Sequence, residues 1–136
     1  MRVRMKVEGG DKLARRLQML AEETARKHMR EAALEGAEVI RVEAAEKAPR
    51  KTGTLAEDIQ KEITKQTKSR VEIHVGPGKK GWYGRLVEEG HAIVRDKKVV
   101  GHVSPKPFLR PAFDEKTDEA QNVIAAELRR RLKADA

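Results

Sequence analysis

A chain of 136 residues fits a single domain, read here as spanning 1–136. Thirty Lys and Arg against 22 Asp and Glu give a net charge of +8, which implies attraction to polyanions, while the lack of cysteine excludes disulfides, thiolate metal sites and a thiol nucleophile. Aromatic residues are only 3% of the chain and charged residues 38%, so the core must be built from Leu, Ile, Val and Ala, with part of its stability expected from contacts between subunits.

Val3, Met5 and Val7 alternate with Arg and Lys, the pattern of a half-buried strand, and this start has no apolar core of the kind a signal peptide carries. No apolar run approaches the roughly 20 residues that span a bilayer, and no membrane partner is expected. Gly9-Gly10 ends the strand, and Asp11 suits a helix N-cap. Residues 12–47 read as one long helix. Leu13, Leu17, Leu20 and Thr24, then Ala33, Ala37, Ile40, Ala44 and Ala48, recur at three- and four-residue steps. Gly36 is its weak point and a candidate bend, and Pro49 stops it. The Ala-rich second half predicts a partner packed close, either the sheet or a neighbouring subunit.

After the Arg50–Thr54 turn, Thr54 and Glu57 have capping-box spacing for a brief helical turn. Ile59, Lys61 and Ile63 alternate, as do Val71, Ile73 and Val75, which predicts a hairpin closed by residues 67–70. Gly76 to Gly81 reads as a flexible loop. Residues 82–89 read as a short helix closed by Gly90. Residues 91–95 and 98–103 read as strands around a turn at Asp96-Lys97-Lys98. Pro105 and Pro107 mark an extended segment. A last helix is expected to begin near Pro111, with Phe113, Thr117, Ala120, Ile124, Leu128 and Leu132 on its apolar face. Its acids lie early and its bases late, as the helix dipole favours. This order of elements is an α+β domain with a mainly antiparallel sheet.

Sites of chemistry are sparse. His28, His74, His91 and His102 show no helical metal spacing, although the last three fall on predicted strands that fold could bring together. Ser69 and Ser104 sit in no nucleophile elbow. Gly76 and Gly81 have phosphate-loop spacing, but Trp82 and Tyr83 stand where Lys and Ser or Thr are needed. The basic residues are scattered over loops and edges, without an RNA-binding signature or helix-turn-helix. The expectation is a protein that is not an enzyme and carries no cofactor or metal. The competing classes are a basic, non-specific nucleic-acid-binding protein and, second, a hydrolase with a histidine-based metal site.

Three segments carry a resemblance. They are Ala48-Pro49-Arg50-Lys51-Thr52-Gly53-Thr54-Leu55 followed by Ile59, Tyr83-Gly84-Arg85-Leu86-Val87-Glu88-Glu89-Gly90, and Pro105-Lys106-Pro107-Phe108-Leu109-Arg110-Pro111-Ala112-Phe113-Asp114. In order and spacing the chain resembles the head–tail connector or tail-completion (neck) proteins of long-tailed bacteriophages and prophages, over roughly residues 10–130. His91 departs from the pattern, where such families often have a small residue. The resemblance implies a virion structural protein whose sheet is flanked by the long helix and a C-terminal helix. It implies a homo-oligomeric ring, hexameric in the virion neck, between a head-side connector and the tail terminator or tail-tube proteins. It implies assembly in the host cytoplasm, and a basic lumen leaves room for non-specific contact with double-stranded DNA. The motif positions Pro49, Thr52, Gly53, Leu55, Tyr83, Glu88, Gly90, Pro107, Phe108, Arg110 and Pro111 would identify the fold. Partner contacts are expected in mobile loops 50–57 and 76–81, at Arg50, Lys51, Gly78, Lys79 and Lys80.

Two expectations are sharper. Phe108, stiffened by flanking prolines, should be a buried anchor. Glu88 should be a charge at a buried edge that needs a partner, and the Arg110 side chain should turn back to Glu88 or Glu89.

Overall fold

The computed structural model describes residues 3–6, 15, 22–50, 53–67 and 70–134, with 3–6, 22 and 134 described by backbone alone. The elements run β1 (Val3–Lys6), α1 (Glu22–Lys47), α2 (Thr54–Glu57), β2 (Ile59–Gln66), β3 (Val71–Pro77), α3 (Gly84–Glu89), β4 (His91–Arg95), β5 (Lys98–Val103) and α4 (Leu109–Ala134). The fold is α+β, and all the strand pairings are antiparallel. They form two sheets, a three-stranded one ordered β1-β3-β2 and a separate β4-β5 hairpin.

The expected 59–63 and 71–75 hairpin is present, with Ile63 opposite Ile73. Val71, Ile73 and Val75 are buried, whereas Glu72 and His74 point to the other, half-covered face. Ile63 pairs with Ile73 and Lys65 with Glu72, so Thr64 is an extra residue that bulges β2. The first part of the predicted long helix, with Asp11, Leu13, Leu17 and Leu20, lies outside the described residues apart from a helical Arg15. From Glu22 the helix runs unbroken to Lys47, and Pro49 follows its end as expected.

Gly36 is no bend. A Cβ there would stand 2.5 Å from Ile124 Cγ1 and 3.0 Å from the Ala120 carbonyl oxygen. Glycine lets α1 and α4 approach closely at this point. The helices run antiparallel, since Glu31 pairs with Arg131 and Lys47 with Glu115 at the far end. The close partner of the alanine face is therefore α4 together with β2 and β3. Ala25, Ala32, Ala33, Ala37, Ala44 and Ala48 are all buried there. Because alanine removes little apolar area, the larger contributions come from Phe108, Ile40, Leu55, Ile73 and Leu109, at about 1.5–3 kcal/mol for a fully buried side chain of this size.

Charged groups seal the seam between α1 and β2. Glu38 accepts hydrogen bonds from Arg41 and pairs with Lys61 at 2.9 Å, and Lys61 also donates to the Leu34 carbonyl oxygen at 3.2 Å. The Arg41 guanidinium first, and then Lys61, hold the Glu38 carboxyl well below its ordinary value, at about 2. Gln66 closes the same seam by donating to the Arg26 carbonyl oxygen at 2.8 Å.

Two helix starts differ from expectation. Helix α2 is capped by Gly53, at φ 79°, and not by Thr54 in a capping box. Helix α4 starts at Leu109, two residues before the predicted Pro111, because an acceptor from elsewhere in the chain serves its first amides.

Candidate functional site

The three motif segments converge on two internal anchors and one exposed arm. The first anchor joins α3 to α4. Glu88 is buried at 5% exposure and faces the start of α4. Its Oε2 accepts the backbone N–H of Phe108 at 2.7 Å and of Leu109 at 3.0 Å, and its Oε1 accepts that of Arg110 at 3.1 Å. Pro111 has no N–H, and Ala112 N–H already bonds to the Phe108 carbonyl oxygen at 3.3 Å. Every amide donor in the first turn of α4 therefore has a partner. A carboxylate at a helix N-terminus also meets the positive end of the dipole. This explains why the segment reads Pro-Phe-Leu-Arg-Pro: proline occupies the first-turn position that Glu88 leaves unserved.

Phe108 is fully buried, as expected, and Leu109 and Ala112 are buried beside it. Arg110 does not reach back to Glu88 or Glu89 through its side chain. Its guanidinium lies 3.4 Å from Asp114, one turn along α4, and is largely exposed. Only its backbone N–H meets Glu88. The expected charge partner was wrong because three amides already supply the positive counterpart. Pro107 is exposed, Pro111 half-buried, and Lys106 N–H bonds to the Val87 carbonyl oxygen at 2.8 Å. Gly90 closes the anchor at φ 72°, where a Cβ would sit 2.6 Å from the Val103 carbonyl oxygen.

The second anchor is Asp58, a residue outside the three motif segments' marked positions. Its carboxylate accepts the Gly81 N–H at 2.6 Å and the Gln60 side-chain amide at 2.9 Å, and its carbonyl oxygen accepts the Gly78 N–H at 3.0 Å. No local motif announces it, because the backbone partners Gly78 and Gly81 lie about twenty residues away. The supposedly flexible Gly76–Gly81 loop is thus pinned at both ends, and Gly76 and Pro77 belong to β3. Leu55 and Ala56 of the other presumed mobile loop are buried, with Leu55 beneath Gly81 and Gly84. Within those loops Lys79 and Lys80 remain exposed on a shallow, open depression also lined by Asp58, Gln60, Pro77 and Gly78. Arg50 is exposed and donates to the Ala45 carbonyl oxygen at 3.2 Å, and Pro49 is half-buried. Lys51 and Thr52 lie outside the described residues.

The exposed arm is the β4–β5 hairpin together with the outward side of residues 82–90, whose Gly84 and Glu88 are buried. Trp82, Leu86, Ile93, Val94, Val99, Val100 and Val103 lie on it, and Val42 is the one exposed large hydrophobic elsewhere among the described residues. Trp82 is 71% exposed and meets Tyr83 edge-on, while Tyr83 packs on the core. The hairpin turn is the two residues Asp96 and Lys97, at φ 50° and 63°, with Lys98 already in β5. That is the left-handed pair of a type I′ turn, whose twist suits a tight hairpin. His91 and His102 lie on this hairpin and His74 on the other sheet, and among the described residues no group of three or more metal-ligating side chains is placed to hold an ion. No helix of the described residues is long and apolar enough to cross a membrane.

The arrangement is one of scaffold and contact surface. A family model described as bacteriophage HK97-gp10, a candidate tail component, matches residues 11–90, which is more than half the chain. The chain belongs to this HK97-gp10-like family. It is accordingly a structural, virion-associated protein of bacteriophage type, in keeping with the neck-protein resemblance of its motifs. No curated protein and no solved structure matches it. The family match ends at Gly90, and the structure shows why the third motif still belongs with the first two. Glu88, inside the matched region, holds the start of α4, outside it.

Proposed function

We propose that this HK97-gp10-like protein completes the phage tail at the neck, as a ring of identical subunits between the head-side connector and the tail terminator or tail tube. It works by contact, without catalysis, cofactor or membrane partner. The observation that carries this reading is the division of the molecule. Buried acids tie α2, α3 and α4 together, while among the described residues every exposed large hydrophobic except Val42 lies between residues 82 and 103. Soluble chains rarely expose such surface unless another molecule covers it. A six-fold ring rests on the resemblance of the three motifs alone.

Disabling this reading frame in the phage tests the proposal. Filled heads and separate, full-length tails that lack only this protein should accumulate, and purified protein added to the lysate should restore joined, infectious particles. Joined particles without the protein, or tails that never form, would overturn it.

The second reading, non-specific contact with nucleic acid, is favoured by the net charge of +8 and by exposed Lys79, Lys80, Lys97 and Lys98. In that case DNA affinity would fall steeply with salt, and the Lys79→Ala/Lys80→Ala pair would flatten the slope. An affinity indifferent to salt would remove this reading.

A further inference from the structure

The β4–β5 hairpin is anomalous in its own fold. All its residues are exposed except the half-buried Gly101, and its two strands pack chiefly on each other. An isolated two-stranded hairpin is marginal in water, and among the described residues neither outer edge has a paired strand. Five Val and Ile side chains stand in solvent along its length, Ile93, Val94, Val99, Val100 and Val103, at 37–61% exposure.

The edges are not equivalent. Ile93 pairs with Gly101 and Val94 with Val99, so Val100 is an extra residue that bulges β5. Strand β2, an outer strand of the other sheet, is bulged at Thr64 in the same way. Bulges blunt an edge against further pairing. Strand β4 carries none and keeps a regular, open ladder.

We propose that the outer edge of β4 pairs antiparallel with β4 of a second copy of this chain, joining the two hairpins into one four-stranded sheet. The order of residues along β4 is complementary to itself. Centred on Ile93, antiparallel pairing sets Ile93 opposite Ile93, Ala92 opposite Val94 and His91 opposite Arg95 of the second copy. Carried past the strand ends, it brings Glu89 of one copy beside Lys97 of the other. Glu89 is an exposed acid at the base of the arm, in a solvent-exposed i,i+4 pair with Arg85 at 3.4 Å that a second cation can share, and Arg95, Lys97 and Lys98 crowd its tip against the single acid Asp96. Tip-to-base pairing therefore separates the two basic tips and gives each an acid. The β5 edge offers no such match, since the same operation faces Lys98 with Val103 across a bulge. The contact is isologous, the same patch meeting itself about a two-fold axis, so it closes at a dimer. It concerns the free chain and does not depend on the neck reading, which would survive its failure.

Sedimentation equilibrium of the purified full chain over a wide concentration range tests the proposal, with hydrogen exchange read at low and high concentration. A monomer–dimer equilibrium is expected, with amides of β4 gaining protection as concentration rises and those of β5 unchanged. Glu89→Lys and Lys97→Glu should each weaken the dimer at least tenfold, and the double swap should restore it. A chain monomeric at every concentration, a dimer indifferent to these reversals, a double swap as weak as the singles, or equal protection of β4 and β5 would each overturn it. If circular dichroism shows that a variant has not folded, the concentration dependence of exchange in the unaltered chain decides.

Discussion

Replacing Glu88 probes the joint between α3 and α4. In Glu88→Ala the three amides of Phe108, Leu109 and Arg110 lose their acceptor, and the first two are buried. A buried donor left unpaired costs about 1–3 kcal/mol, and hydrogen bonds to a charged group sit at the upper part of the usual range. Water admitted by the shortened side chain recovers part of this, which leaves a loss of about 4 kcal/mol for Glu88→Ala. Glu88→Gln keeps one oxygen. Placed at the Oε2 position it still serves Phe108 and Leu109, while its amide group confronts the part-buried Arg110 N–H. Loss of one bond and of the negative charge at the helix start amounts to about 2 kcal/mol. Arg110→Ala removes only an exposed pair with Asp114 and should stay within about 0.5 kcal/mol of the unaltered protein. Urea unfolding of the four proteins measures the series, and hydrogen exchange at residues 108–110 reports the joint directly. Equal stability of Glu88→Ala and Arg110→Ala, or a larger loss from Arg110→Ala, would refute the assignment of Glu88 as the cap of α4.

Three further outcomes follow from the same packing. Phe108→Ala should lose about 3–5 kcal/mol in urea unfolding, because the ring is fully enclosed. Gly36→Ala should lower the thermal midpoint in spite of alanine's better helix propensity of roughly 1 kcal/mol, since the Cβ at 2.5 Å from Ile124 forces the helices apart at a cost of about 1–3 kcal/mol. Ile124→Ala in the same chain should relieve part of that clash. Glu38→Gln should lose about 1 kcal/mol near neutral pH, a figure already discounted because the carboxylate is a third exposed. The folded carboxyl titrates at about 2 against an ordinary 4.5, so its contribution is complete above about 4.5 and vanishes as pH falls to about 2. Unfolding curves of Glu38→Gln and the unaltered protein should therefore converge at the acid end.

Much of the architecture was legible because it is periodic. The three- and four-residue steps of the alanines and Ile40, the alternation of Val71, Ile73 and Val75, and the Pro49 stop depend on local backbone geometry, which neighbouring residues dictate. Phe108 was legible as an anchor for a related reason, as a single large ring in a polar segment stiffened by prolines. What failed was partner choice. Arg110 looked like the mate of Glu88 because opposite charges suggest a pair, but a helix N-terminus offers several donors at once and no side-chain entropy is lost in using them. The Gly76–Gly81 loop, expected to be mobile from its glycines and lysines, is pinned by Asp58, whose role exists only after residues 58, 78 and 81 have been brought together.

By itself, then, the order of residues determined the helices, the strands, their antiparallel turns and the motifs that mark the family, since each is specified over a few neighbouring positions. Tertiary structure alone decided that Gly36 is a close crossing of two helices, that Glu88 and Asp58 are internal acceptors, and that the β4–β5 hairpin stands apart with its valines in solvent. Alternating apolar residues announce a strand that wants to be covered. Whether its own fold covers it depends on contacts far away along the chain, and here the fold leaves that surface open.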